Sequence, residues 1–239
     1  MSRMPDPPIP PHPSLASTLR ILRHYYGKPP APISTDPFRL ILWEQVAYLV
    51  PEARRREAYA ALRSTVGLTP AAILGAPTNT LHAITRLGGA IAAPIRAARL
   101  RHSAELVLGH WKGDLKRALR LPLPQARRAL AAFPMIGEPG ADKILVFTGT
   151  ARLLPLDSNG LRVLQRLGLV KEVRDYRTAY RGAQAALTPR LPRTRDALIG
   201  AYYLLREHGQ TLCRRSAPRC SECPLRPGCP TGRSRGHDT

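Results

Sequence analysis

No cysteine precedes Cys213, lysine occurs only at Lys28, Lys112, Lys116, Lys143 and Lys171, and acids are outnumbered, 16 against 37 Lys plus Arg. Residues 1–20 hold many prolines and no continuous apolar core, so no secretory leader is read there and nothing points to an oxidising compartment. The shortage of acids leaves a formal charge of +21 and a pI near 11.1. A chain so charged faces phosphates or an acidic membrane surface, and nucleic acid is the leading partner. The competing reading is a compositional bias toward arginine, which is spread along the chain. With 44% apolar content, 239 residues can bury one large core or two small ones, and two lobes are expected.

All four cysteines fall in one late stretch, Cys213, Cys220, Cys223 and Cys229, spaced C-x6-C-x2-C-x5-C. Three chemistries compete for them. Disulfides lack the secretory context. Structural zinc usually pairs two short C-x2-4-C knuckles, and only Cys220 and Cys223 form one. Four thiolates in a short, proline-buckled loop suit a [4Fe–4S] cubane, whose corners are reached from one compact turn. The cubane is favoured, with zinc and disulfides left as alternatives.

The rest of the chain reads as helices broken by Gly and Pro. Residues 1–16 carry too many missing backbone donors for helix or sheet and are expected to form a polyproline-like tail. A helical pattern runs from Ser17 to Tyr26. Asp36 and Pro37 then open a strong helix as N-cap and first helical residue, with Leu40, Trp43, Ala47 and Val50 on one face and Pro51 as its stop. Residues 53–133 give Ala/Leu/Arg-rich helical segments and no strand. The stretch Phe133-Pro-Met-Ile-Gly-Glu-Pro-Gly140 is a tight turn whose glycines admit close approach of a phosphate, or else a plain helix connector. Asp157, after an apolar run and before a helix, reads as an N-cap. Two amphipathic helices follow between Lys171 and Gly209, the second capped by Thr194 and closed by Gly209.

The cysteine spacing, with the approach His208-Gly-Gln-Thr-Leu-Cys213, resembles the iron–sulfur loop of the endonuclease III and MutY branch of the helix-hairpin-helix DNA glycosylases. Pro37-Phe38-x5-Glu44 resembles the opening of MutY-type glycosylases, where the matching glutamate protonates the departing base. Residues 133–140 are similar to the family hairpin L-P-G-[VI]-G-x-[KSY]-T-A, and Leu156-Asp157 to Arg162-Val163 to the segment V-D-x-[NH]-x-x-R-V that carries the catalytic aspartate. There are departures. Met135 replaces a hairpin glycine, Pro139 stands where bifunctional members have their lysine nucleophile, and Gln45-Val-Ala-Tyr-Leu-Val50 lacks the duplex-wedging glutamine.

The resemblance implies an all-α, two-lobed helix-hairpin-helix glycosylase fold. Residues 30–142 would form a six-helix barrel lobe with its hairpin at 133–140, and 17–29 plus 143–239 a cluster lobe with its loop at 213–229. Substrate would enter a cleft with Glu44 on one wall and Asp157 on the other. It implies catalysis by Asp157 and Glu44, DNA contacts from Ile136, Gly137, Gly140, Lys143, Arg214, Arg215 and Arg219, and a cluster on Cys213, Cys220, Cys223 and Cys229. Taken alone, Glu44 is a solvated helix face and the loop arginines are surface charge. The expected function is base-excision repair: a monofunctional glycosylase acting on damaged or mispaired bases in double-stranded DNA. The alternatives are a catalytically weak lesion-recognition protein and a bifunctional endonuclease III. A full-length adenine glycosylase is not expected, since nothing after the cluster resembles its extra domain. The protein is expected to be a cytoplasmic, nucleoid-associated monomer that does not engage membranes.

Overall fold

In the computed structural model, residues 13–234 are described, and the bulk of the proline-rich tail, residues 1–12, lies outside them. The last part of that tail is not tail at all. Ser14 and Ser17 exchange backbone and side-chain hydrogen bonds as a capping box, so α1 starts at Leu15 and runs to Tyr26. Among the described residues there is no strand, in keeping with the all-α expectation.

Local signals set most helix starts. Asp36 Oδ1 accepts from Arg39 N (3.0 Å) ahead of α2 (Pro37–Gln45), and Thr69 accepts from Ala72 N ahead of α4 (Pro70–Gly75). Prolines 51, 77 and 122 precede α3 (Glu52–Thr65), α5 (Thr78–Leu87) and α8 (Leu123–Ala131), whose starts have no side-chain cap. Between them lie α6 (Ala93–Trp111) and the short α7 (Lys116–Leu119), and α9 (Glu138–Phe147) follows. Later come α10 (Ser158–Arg166), α11 (Tyr176–Leu187), α12 (Arg195–Thr211) and α13 (Pro230–Ser234).

Two helix ends differ from expectation. Helix α2 stops at Gln45 rather than Pro51, because Leu49 enters the left-handed region (φ 51°) and Tyr48 N–H turns aside to Gly88 O (3.2 Å). Helix α12 runs through Gly209 to Thr211. That glycine is there for contact, since a Cβ on it would lie 2.7 Å from Asn159 O and 2.8 Å from Asn159 Cβ, so only glycine lets α12 approach α10.

The chain divides into two compact units. One spans Pro32–Ala151 and holds α2–α9; the other combines the chain up to Ala31 with the chain from Arg152. The return crossing therefore falls after α9, not at the expected 142/143, because Lys143 to Phe147 are buried core residues of that helix. In the Pro32–Ala151 unit α6 packs against α2, α4 and α5, and α9 against α2 and α8. Leu42, Leu62, Leu100, Leu130 and Ile144 are wholly buried there, each contributing about 1.5–3 kcal/mol relative to exposure. In the other unit α12 packs against α1 and α10, and α10 also meets α11 and α13. Leu22, Leu164, Leu187 and Leu205 are its fully buried centre.

Candidate nucleic-acid interface and catalytic residues

Helices α8 and α9 and the turn between them form a helical hairpin. Met135, which replaces the family glycine, nevertheless takes the glycine-like conformation (φ 66°), so the turn keeps its path at the cost of backbone strain. Gly137 is the exposed N-cap of α9, and the first-turn amides of a helix have no acceptor within it, which leaves them for an anion. Pro139 lies in that first turn and removes one amide. Glu138 adds a negative charge at the same place, favourable to the helix dipole and unfavourable to a phosphate. Arg127 Nε on α8 meets the buried Asp142 Oδ1 on α9 at 2.6 Å and locks the hairpin.

Two of the expected DNA contacts in this segment are engaged elsewhere. Ile136 is buried and its N–H bonds Phe133 O (3.0 Å), so neither its side chain nor its amide is presented. Lys143 is 8% exposed, and its Nζ reaches Glu44 Oε1 at 2.5 Å, joining α9 to α2. From sequence Glu44 and Lys143 read as separate features; the fold makes them one part-buried charged pair. Next to Glu44, the wholly buried Gln45 donates from Nε2 to Pro134 O and to Ser103 Oγ, both 2.8 Å, and accepts from Ser103 Oγ at 3.1 Å. Neighbouring α2 side chains thus grip both ends of the hairpin. The sequence signal for Gln45 was only a polar residue in an apolar run.

In the other unit, Asp157 N-caps α10 and is purely an acceptor. Its Oδ1 takes N–H bonds from Asn159 (3.0 Å) and Gly160 (2.8 Å), while Oδ2 takes one from Asn159 Nδ2 (3.2 Å) and lies 3.5 Å from Arg206 Nε. Each of these four contacts is made by a donor. The side chain keeps 28% exposure, so one face of the fixed negative charge stays open.

One turn and two turns along α10, Arg162 and Arg166 tie that helix to the cysteine loop. Arg162 donates to Cys213 O (2.9 Å) and Gly209 O (2.7 Å), and Arg166 to Arg214 O (2.7 Å) and Cys213 Sγ (3.4 Å). Burial lowers the Arg162 pKa from its ordinary value. Cys213, Cys220, Cys223 and Cys229 line one pocket together with His208 and Leu225. Burial, and after it the three other thiols, pushes Cys223 up to about 11. No three His, Cys, Asp or Glu side chains among the described residues converge on a point as a single metal ion requires. Four thiols lining one pocket are the donor set that a [4Fe–4S] cluster uses. His208 lies behind them, with Nε2 3.5 Å from Cys223 Sγ and Nδ1 3.0 Å from the Tyr26 hydroxyl of α1.

The loop arginines divide. Arg214 and Arg215 present exposed side chains, whereas Arg219 forms a two-point pair with Glu222 (Nε–Oε1 2.7 Å, Nη2–Oε2 2.6 Å) and is already engaged.

No family model matches the chain. An endonuclease III from Sulfolobus acidocaldarius is 27% identical over 173 residues, which is 72% of this chain and 72% of that protein. Among solved structures, a trapped endonuclease III–DNA covalent intermediate superposes with TM-score 0.73 and 17% identity, covering 93% of this chain and 97% of the other. A thermostable thymine-DNA glycosylase gives TM-score 0.70 and 16% identity over 92% and 95%. In sequence the chain is similar to an endonuclease III, and its all-helical fold is the one seen in the endonuclease III–DNA and thymine-DNA glycosylase structures.

Proposed function

We propose that this protein is a base-excision DNA glycosylase of the monofunctional kind, cleaving the N-glycosidic bond of a damaged or mispaired base in duplex DNA with water as nucleophile. The observation that carries the reading is the pair of carboxylates in unlike surroundings: Asp157 held wholly by donors, Glu44 held by Lys143. Asp157 supplies fixed negative charge for a sugar that becomes oxocarbenium-like as the bond breaks. The bond electrons leave with the base. The Lys143–Glu44 pair supplies the proton, the ammonium giving it to the carboxylate and the carboxylate to the base. Water adds to C1′, and the proton it sheds returns to the pair.

Pro139 carries no amine, and the Lys143 amine is committed to Glu44, which is why no Schiff base to the sugar is drawn. The four cysteines fit a [4Fe–4S] cluster, which when bound would cross-link the loop at four points. Arg162 and Arg166 then connect that loop to the helix that Asp157 caps.

The deciding experiment incubates the protein with lesion and mismatch duplexes, with and without alkali and borohydride. Strands are expected to stay intact until alkali is added, with no covalent trap. Asp157→Asn should keep DNA binding and lose base release by about a thousandfold or more. A trap that vanishes in Lys143→Ala would establish a bifunctional enzyme instead. A second reading, a recognition protein with little catalysis, is favoured by the Glu44–Lys143 pair and by Glu138 in the hairpin. It prevails if no lesion is processed while distorted duplex is still bound.

A further inference from the structure

We propose that Arg206 is a phosphate-binding residue. In the free protein it pairs with the Asp157 carboxylate, and a nucleotide bound over Asp157 draws it onto a flanking phosphate, which leaves the carboxylate's full charge to the sugar. This rests on the reading of Asp157 as the catalytic carboxylate and adds a specificity, for nucleotides inside a strand over nucleosides and chain ends.

One side of the carboxylate is fixed by α10 itself. Asp157 Oδ1 accepts from the first-turn amides of Asn159 (3.0 Å) and Gly160 (2.8 Å). Oδ2 accepts from Asn159 Nδ2 at 3.2 Å, and that amide is oriented by Arg162 Nη2, which donates to Asn159 Oδ1 at 2.8 Å. Arg162 is anchored in turn on Gly209 O and Cys213 O. The backbone of Arg206 is placed as firmly, because α12 crosses α10 at two glycines. A Cβ on Gly209 would stand 2.7 Å from Asn159 O, and one on Gly160 3.4 Å from Leu205 Cβ. That crossing brings the Arg206 guanidinium to the start of α10, beside Asp157.

The Arg206 contact is of another kind. Nε stands 3.5 Å from Oδ2, too far for a hydrogen bond, so charge alone joins the two. Where this chain locks its elements with an ion pair it closes the gap: Arg127 Nε meets Asp142 at 2.6 Å, and Arg219 grips Glu222 at 2.6 and 2.7 Å. A loose pair in contact with water, its side chains 23% and 28% exposed, contributes little to stability. The place is also unfavourable for a cation, since the start of α10 is the positive end of a helix and Arg162 already brings one guanidinium there. Tyr176 offers no second anion, because burial, and after it the Asp157 charge, pushes its hydroxyl up to about 12.

These features fit a cation stationed for exchange. Every sugar inside a strand lies between two phosphates, so a nucleotide whose C1′ faces Asp157 brings a phosphate toward the same guanidinium. Arginine binds phosphate through two parallel, charge-assisted bonds, which outcompete one contact without a hydrogen bond. As the side chain turns, two charges change partners and no covalent bond or proton is moved. The phosphate is neutralised, and Asp157 is left to stabilise positive charge on the sugar. A nucleoside, or a terminal residue lacking that phosphate, leaves Arg206 on the carboxylate.

The test uses full-length protein and duplexes carrying at one position either a pyrrolidine abasic analogue, which is cationic, or tetrahydrofuran, which is neutral. Each is made with ordinary phosphates or with an uncharged methylphosphonate on the 5′ or the 3′ side of the analogue. The parent should prefer the cationic duplex about a hundredfold, and one of the two methylphosphonates should cut that preference about tenfold. In Arg206→Gln the preference should remain and the methylphosphonate should cut it about threefold or less, the share due to direct attraction between phosphate and cation. Asp157→Asn should abolish the preference with every backbone. Should the glutamine variant melt lower than the parent, Arg206→Lys takes its place, keeping a cation at the helix crossing without the two-point fork, with a methylphosphonate effect below about half the parent's. An equal methylphosphonate effect in parent and variant would overturn the proposal. So would a cationic preference lost in Arg206→Gln as fully as in Asp157→Asn, for Arg206 would then serve to hold the carboxylate in place. If no lesion is processed but the preferences appear as stated, Arg206 keeps its phosphate and the glycosylase assignment falls; if lesions are processed and the methylphosphonate effect ignores residue 206, the reverse holds.

Discussion

Tyr59 shows how a single side chain converts burial into a condition on stability. It is 5% exposed and packs edge-on against Trp43, with ring centroids 5.4 Å apart, and burial pushes its hydroxyl up to about 12 from 10.0. Between those values the unfolded chain has released the proton and the folded one retains it, so the folded state binds more protons and stability falls as pH rises. The contribution is complete below pH 10 and lost by about pH 12, worth about 2–3 kcal/mol if Tyr59 acts alone. Tyr59→Phe should therefore flatten the fall in urea midpoint over that range; an unchanged alkaline limb would show that Tyr59 ionises without unfolding penalty. Trp43 was legible as a core residue from helical spacing. The cations over its ring, Arg55 and Arg56 at 5.6 and 5.8 Å, were not, because they come from the next helix.

At the scale of elements, the hairpin carries a trade-off between its own stability and its grip on DNA. Glu138 suits the positive end of α9 but repels a phosphate approaching the same amides. Glu138→Gln should cost the protein about 0.3–1 kcal/mol while tightening duplex binding at low salt about two- to fivefold. Titration calorimetry and denaturant melts on one preparation check both halves, and unaltered affinity would mean that the α9 amides meet no phosphate. The sequence showed Met135 as a lost glycine. Its φ of 66° shows that the turn survived the replacement, which side-chain identity could not reveal because the rest of the hairpin, including the Arg127–Asp142 pair, imposes the backbone path.

For the whole molecule, the formal charge of +21 makes duplex affinity a steep function of salt. Changing Arg214 and Arg215 to Ala should lower the log–log slope by about two if each meets one phosphate. Arg219→Ala should change it little, because Glu222 already holds that guanidinium. Equal effects from all three would show that the Glu222 pair opens on binding. Purified protein should be brown, with broad absorbance near about 400 nm from thiolate-bound iron. Oxidative loss of that colour should lower the melting temperature, since Arg162 and Arg166 would then hold a loop with no internal cross-link. A colourless, zinc-containing protein of equal stability would refute the cubane.

What the sequence determined by itself was everything governed by short-range chemistry. The caps at Asp36, Asp157 and Thr194 bond amides only two or three residues ahead, and the cysteine run places four thiols within one loop. Helical periodicity gave helices and no strand over residues 53–133 for the same reason, and the all-α class of the whole chain came from the resemblance. The tertiary structure decided what depends on distant partners. It joined Glu44 to Lys143 across 99 residues and Gln45 to Pro134 across 89, and it turned Gly209 from a helix stop into a point of close approach. It also ended α2 early by drawing Tyr48 to Gly88. These pairings arise from packing, which rewards side chains for meeting in space, and chain order carries no record of which helices will meet.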